Sequence, residues 1–172
     1  MTGVAAELRR PVRVDYPRGR IHVVHVATLA DEMQAAPDRI YRVLKGVAEG
    51  HGGTFEWAEV IGRDNNLLVC KFWTEIRLPR GLRFRFPTRE SVELDPPLAV
   101  HYRHRSGPSR GIAETITIDP IDGTRSRVTY RAVYPSLSRA WAGTFALVAK
   151  PVAHVFMRIH FDELRRSVER AA

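Results

Sequence analysis

No part of this chain constrains its fold more than the stretch from Trp141 to Phe161. Its clearly polar residues are Thr144, Lys150, His154, Arg158 and His160. Charge returns in force only with Asp162, Glu163, Arg165, Arg166, Glu169 and Arg170. The segment from Ser136 to Ala172 therefore reads as one long C-terminal helix, apolar around most of its circumference, and such a helix must be enclosed by something. Lys150, Pro151 and Arg158 argue against a membrane span. Residues 55–134, which precede it, alternate as strands do, so the expected enclosure is a curved sheet. A sheet gripping a helix leaves a cavity.

The strands are read from period-2 alternation broken by turn residues. Residues 20–28 form a first β-rich run. Ala36-Pro37-Asp38 opens a short helix with Ile40, Val43, Leu44 and Val47 as its buried stripe, closed by Gly50 and Gly52-Gly53. Turns fall at 62–66, 79–81, 95–97, 107–111 and 119–123. Between them Leu68, Cys70, Phe72, Thr74 and Ile76 share one face; Phe84 and Phe86, Val92 and Leu94, Val100 and Tyr102, Ile116 and Ile118, and Tyr130 and Ala132 continue it. Lys71, Glu75, Arg83, Arg85, Glu93 and Arg103 fall on the other face. An antiparallel meander with one apolar and one solvated face follows. The first residues, 1–18, carry Pro11 and Pro17 with little periodicity and read as a loosely tethered arm preceding a domain of 19–172.

Keeping the apolar faces together sets the register, because a slip of one residue turns a strand inside out. Across the 107–111 turn this predicts Val100 opposite Ile118, Tyr102 opposite Ile116 and His104 opposite Glu114. Across the next turn it predicts Ile116 opposite Tyr130 and Glu114 opposite Ala132. His104 and Glu114 thus emerge as polar residues on the apolar side. Paired there, the carboxylate would hold the imidazole in one tautomer, and the imidazole could exchange a proton with a ligand. The competing reading is a satisfied structural pair at the sheet's open end.

Other chemistries find little support. His101-x-x-His104 and His22-x-x-His25 have metal-like spacing, but i and i+3 on a strand point to opposite faces, so no metal site is expected. Cys70, the single cysteine, reads as a small core residue; with no disulfide partner, a reducing cytoplasm is the expected setting. Residues 1–20 lack the apolar run of a secretory leader. No phosphate-cradling loop or nucleotide fingerprint occurs, and no cofactor is implied. The net charge is +8, and only Lys45, Lys71 and Lys150 among the basic residues are lysine. The arginines are scattered among acidic residues, so a solvated basic surface is favoured over nucleic-acid binding. From Leu78 to Arg89, Arg80, Arg83, Arg85 and Arg89 interleave with Leu82, Phe84 and Phe86, an amphipathic strand that could also collar a pocket mouth.

Several phrases then carry a resemblance: Glu93-Leu-Asp-Pro-Pro, His101-Tyr-Arg-His-Arg-Ser-Gly-Pro, Ile118-Asp-Pro-Ile-Asp-Gly-Thr, Val128-Thr-Tyr-Arg and the terminal Asp162-Glu-Leu-Arg-Arg. With the order of elements, they make residues 21–170 resemble the polyketide cyclase/dehydrase and START-like ligand-binding superfamily (SRPBCC). The resemblance implies an α+β helix-grip fold: a curved antiparallel sheet of about seven strands wrapped around a long C-terminal helix, with a short helical insertion after strand 1. It also implies a deep apolar cavity for sterols, lipids, hormones, quinones or polyketides. Aromatase/cyclases of that superfamily use an inward arginine shortly before the Asp-Pro turn. The matching position here is Val92, with Arg89 out of step, so no catalytic residue carries over.

The expected partner is a hydrophobic small molecule held between sheet and helix. Phe145, Val148, Val152, Val155, Phe156 and Ile159 should face the sheet, with a kink or restart at Pro151. Expected contacts are Phe72, Phe84, Tyr102, His104, Glu114, Ile116, Tyr130, Tyr134, Val152, Phe156, Ile159 and His160. Two alternatives stay open. One is a cyclase- or dehydratase-type enzyme using His104 and Glu114. The other is a module with a filled core whose apolar helix docks on a membrane periphery or a partner.

Overall fold

The computed structural model describes residues 2–10, 12–13, 22–51, 56–77, 83–136 and 139–169. Among these the elements run α1 (Thr2–Leu8), β1 (His22–Met33), α2 (Pro37–Ala48), β2 (Glu56–Asp64), β3 (Leu67–Arg77), β4 (Arg83–Asp95), β5 (Ala99–His104), β6 (Ala113–Pro120), β7 (Ser126–Ser136) and α3 (Arg139–Glu169). The strands form one antiparallel sheet in the order β1-β7-β6-β5-β4-β3-β2, so β1 and β2 are its edges. This is the expected α+β helix-grip architecture.

Local chemistry accounts for the elements. Ala36 is extended and Pro37 occupies the first turn of α2, where its missing N–H is no loss. Asp38 in the first turn and Lys45 in the last complement the helix dipole. Ile40, Tyr41, Leu44 and Ala48 form the buried stripe, which omits the expected Val47 and leaves Val43 packed at its margin. On the sheet's inner face Leu68, Cys70, Phe72, Val92, Val100, Ile118, Val128 and Tyr130 are almost completely enclosed. The period-2 reading of these strands holds.

Three expectations need correction. The first concerns the N-terminal arm, whose residues 2–8 are helical and packed over β2 and β3 on the sheet's outer face. Gly62 admits this contact, since a Cβ there would collide with Val4. Gly62 pairs with Val69, which is fully buried although it lies on the face expected to be solvated. Ser91 on the same face is buried, and so is Val12 of the arm. Arg13 binds Glu93 at 2.8 Å and Asp95 at 2.9 Å, Arg89 approaches Glu7 at 3.3 Å, and Arg105 donates to the Arg10 carbonyl at 3.3 Å. The arm is a strap.

The second correction is register. Val100 pairs with Ile116 and Tyr102 with Glu114, two residues away from the expected offset. The turn closes more tightly than 107–111 suggests: His104 N donates to Ile112 O and Gly111 N to His104 O, each at 3.0 Å. A shift of two preserves the facing of every side chain. The β6–β7 register, with Ile116 opposite Tyr130 and Glu114 opposite Ala132, is as expected.

The third concerns α3. It begins at Arg139, and it passes through Pro151 as one helix without restarting. Its buried stripe is Met157, Phe161, Leu164 and Val168, with Ala153 and Phe156 packed at the core margin. Val155 is 63 % exposed and Ile159 is 39 % exposed, so neither is buried against the sheet. A segment apolar on nearly all sides contains little information about which side is inward; packing against β1, β7 and α2 decides it. The side chains of Phe145, Val148 and Val152 lie outside the described residues.

Candidate functional site

β4, β5 and β6 bring three ionisable side chains together on the inner face. Glu90 stands directly opposite His104 across the β4–β5 pair, and Glu114 lies diagonal to His104 on β6. His104 Nδ1 is 3.0 Å from Glu90 Oε1, and Nε2 is 3.1 Å from Glu114 Oε1. The imidazole is therefore gripped between two carboxylates. Thr88 Oγ1 donates to Glu90 Oε1 at 2.7 Å, and Ser109 Oγ lies 2.7 Å from His104 Nδ1. The Tyr130 hydroxyl donates to Glu114.

The two ends of the imidazole differ. Nδ1 donates to Ser109 Oγ beside Glu90. Nε2 is buried and close enough to Glu114 for ionic attraction, but its hydrogen points off the line to the carboxylate and has no linear acceptor among the described residues. Side-chain exposure is 10 % for His104, 6 % for Glu90 and 21 % for Glu114. Glu114 is thus the most accessible of the three.

Electrostatics holds His104 and Glu114 charged. Burial alone would lower the His104 pKa, but Glu90 and Glu114 outweigh it and raise it well above the ordinary imidazole value. Burial would raise the Glu114 pKa, but His104, the Tyr130 hydroxyl and the charge of His160 outweigh it and lower it. The result is an imidazolium next to an ionised carboxylate. His160 reaches this region from α3; its Nδ1 donates to the Phe156 carbonyl at 3.0 Å, and its ring packs on Phe156 with centroids 4.3 Å apart.

The other anticipated contacts divide. Phe72, Tyr102, Ile116 and Tyr130 are buried on the inner face, with the Phe72 and Tyr102 rings edge-on at 6.3 Å. Tyr134 and Phe156 are partly buried against the same core. Gly111, at φ +97°, lets the β5–β6 turn close against Tyr134, where a Cβ would come within 2.8 Å of the ring. Ile159 turns outward, and the side chains of Phe84 and Val152 lie outside the described residues. Glu90 was not anticipated. The signal existed: it shares the parity of Val92 and Leu94, and the hairpin about Pro96-Pro97 that pairs Val92 with Tyr102 also pairs Glu90 with His104.

Cys70 is inert here, its thiol donating to the Ala48 carbonyl at 3.3 Å and its pKa pushed up to about 12 by burial and by Glu90. His101 lies on the opposite face from His104, with Nδ1 3.1 Å from Thr115 Oγ1. Arg85 and Arg89 point outward to Glu75 and Glu7, while Arg80 and Leu82 lie outside the described residues. Among the described residues no group of His, Cys, Asp or Glu is arranged to hold a metal ion, and no helix is long and apolar enough to cross a membrane.

No protein-family model matches the chain, and no curated protein matches it in sequence. Solved structures do match in fold. Norcoclaurine synthase from Thalictrum flavum, in complex with dopamine and hydroxybenzaldehyde, aligns with a TM-score of 0.64 at 16 % identity over 93 % of this chain and 97 % of that one. The Zhui aromatase/cyclase from Streptomyces sp. R1128 gives 0.61 at 17 % identity over 87 % and 94 %. A START superfamily protein from Mycobacterium smegmatis gives 0.58 at 11 % identity over 86 % and 99 %. What these structures share with the chain is the α+β helix-grip fold.

Proposed function

We propose that this protein binds a hydrophobic small molecule carrying a hydroxyl group, in the space between the inner face of the sheet and α3. The observation that carries this reading is the Nε2 end of His104. A buried imidazolium N–H with no linear acceptor among the described residues stands beside an ionised carboxylate whose side chain keeps 21 % of its surface accessible. One hydroxyl can answer both, its oxygen accepting from Nε2–H and its hydrogen donated to Glu114. Phe72, Tyr102, Ile116, Tyr130, Tyr134 and Phe156 supply the apolar surroundings such sites commonly have. A neighbour of the same fold holds dopamine and hydroxybenzaldehyde, both hydroxylated aromatics, which makes the ligand class reasonable without fixing it.

The test compares 2-naphthol with 2-methylnaphthalene, which match in shape and differ in the hydroxyl. Hydrogen bonds to charged groups contribute about 1.5–3 kcal/mol, so 2-naphthol should bind roughly tenfold or more tightly. Glu114→Gln and His104→Gln should each shrink that preference. Equal affinities for the two probes in the wild-type protein would remove the reading.

The same geometry favours a second reading. An imidazolium and a carboxylate side by side are an acid and a base, the pair a cyclase- or dehydratase-type catalyst would use. The two readings separate in native mass spectrometry of a molecule that copurifies with the protein. A binder returns it unchanged on incubation, whereas a catalyst changes its mass or its chromatographic identity.

A further inference from the structure

The buried stripe of α3 leaves one face of the helix outside, and that face has a definite composition. Leu147, Lys150, Pro151, His154, Val155 and Arg158 are all exposed and follow one another at i, i+3, i+4, i+7, i+8 and i+11, the spacing of a single helical face. Leu147 is 80 % exposed and Val155 is 63 % exposed, and Ile159 flanks them. Among the described residues the other exposed large apolar ones are explained locally or stand alone: Trp57 stacks on Trp73 at 5.8 Å, while Leu98 and Ile121 sit singly at turns.

Between Leu147 and Arg158 charge on this face has one sign. From Arg139 to Phe161 the helix contains no acidic residue, and the run ends at Asp162. Beside the face, a cleft of about 590 Å³ opens between α3 and the edge strand β1, lined by His25, Val26, Ala27 and Thr28 opposite Lys150, Pro151, His154 and Val155. The wall on the β1 side contains a bulge between His25 and Ala27, which turns His25 outward and Val26 inward. Apolar and cationic groups thus alternate along an outward ridge with an apolar-floored cleft at its foot.

We propose that this face of α3, with the adjoining β1 cleft, docks on the surface of a bilayer rich in anionic lipid. Lys150 and Arg158 meet the headgroup charge, Leu147 and Val155 enter the interfacial layer, and the cleft accepts part of a displaced lipid. Charge complementarity favours this occupant over an acidic protein. Protruding aliphatic side chains interleaved with cations suit a fluid interface that adapts to them, as interfacial helices do. The proposal does not depend on the His104–Glu114 reading, because vesicle binding needs no ligand in the interior.

The experiment is co-sedimentation of the full-length protein with two vesicle populations, pure phosphatidylcholine and phosphatidylcholine with about a third phosphatidylglycerol. The protein should sediment with the anionic vesicles, much less with the zwitterionic ones, and lose binding as salt rises. Each basic residue near such a surface is worth about fivefold in partitioning. Lys150→Ala with Arg158→Ala should therefore lower it by more than tenfold. Leu147→Ser with Val155→Ser should weaken it at unchanged net charge, with an unchanged melting temperature showing that the fold survives. Arg42→Ala with Arg110→Ala, both exposed and neither on this face of α3 nor lining its cleft, should leave binding largely intact. Equal sedimentation with both vesicle types would overturn the proposal and hand the face to a protein partner. An equal loss in the Arg42/Arg110 pair would also overturn it, since diffuse net charge would then suffice.

Discussion

Both faces of the sheet bury polar chemistry, but they do it in opposite ways. On the inner face Glu90, His104 and Glu114 are enclosed together, and His104 and Glu114 are held ionised. On the outer face the charges of Arg13, Glu93 and Asp95 stay largely in solvent, while the cover is seated by Val4 over Gly62 and by buried Val12. Inside, electrostatics is expensive to disturb because removing one partner strands the others in a medium that solvates them poorly. Outside, water does most of the solvating, so packing rather than ion pairing should hold the strap.

The sharpest way to break this contrast is to remove the central inner charge. His104→Leu leaves two carboxylates facing each other without a cation and should lower stability by about 3–5 kcal/mol in urea unfolding. A loss below about 1 kcal/mol would mean that the inner cluster is no more demanding than a surface pair. Next in size is the seat of the strap. Gly62→Val places side-chain atoms where Val4 already lies and should cost about 1–3 kcal/mol. It should also speed tryptic cleavage after Arg9, and Val4→Ala in the same chain should recover part of the loss. Unchanged cleavage would mean that α1 is held elsewhere.

The pH profile sharpens the inner half of the comparison. His104 is raised above 6.5, so its contribution is complete below that value and disappears as pH climbs through its folded value. Glu114 is lowered below 4.5, so its contribution is complete above that value and disappears as pH falls through its folded value. Stability should form a plateau across neutral pH with a decline on each side. His104→Gln should flatten the alkaline decline; an alkaline limb that persists in this variant would assign it to other groups. The smallest effect belongs to the outer pairs. Arg13→Ala should change stability by no more than about 1 kcal/mol, and the difference should fade in 1 M salt.

Fold and site were unequally legible. Strand parity was readable because it repeats every two residues and because one face of each strand is apolar. Leu68, Cys70, Phe72, Val92, Val100, Tyr102, Ile116 and Tyr130 all stand on the side their alternation indicated. The same parity brought His104 and Glu114 to the inner face, and it would have brought Glu90 there too. The register between β5 and β6 was not readable, because a shift of two residues keeps every apolar contact and only the turn closing on Gly107 and Gly111 selects between the offsets. That selection is what makes Glu114 a diagonal neighbour of His104 rather than its direct partner, and so leaves the Nε2–H off line.

The sequence by itself determined the element order, the facing of each strand and the presence of a long apolar terminal helix, because these follow from local periodicity and turn chemistry. Tertiary structure decided what lies against what. The N-terminal residues have no periodic pattern to announce a partner; α1 has a place only because Gly62 and Val69 offer one on a folded sheet. The middle of α3 is apolar on nearly every side, so composition could not choose its inward face. Contact with β1, β7 and α2 turned Met157, Phe161, Leu164 and Val168 in, and left Leu147, Lys150, Val155 and Arg158 out. Hydrophobicity drives burial without direction, and direction came from the surfaces already folded beneath the helix.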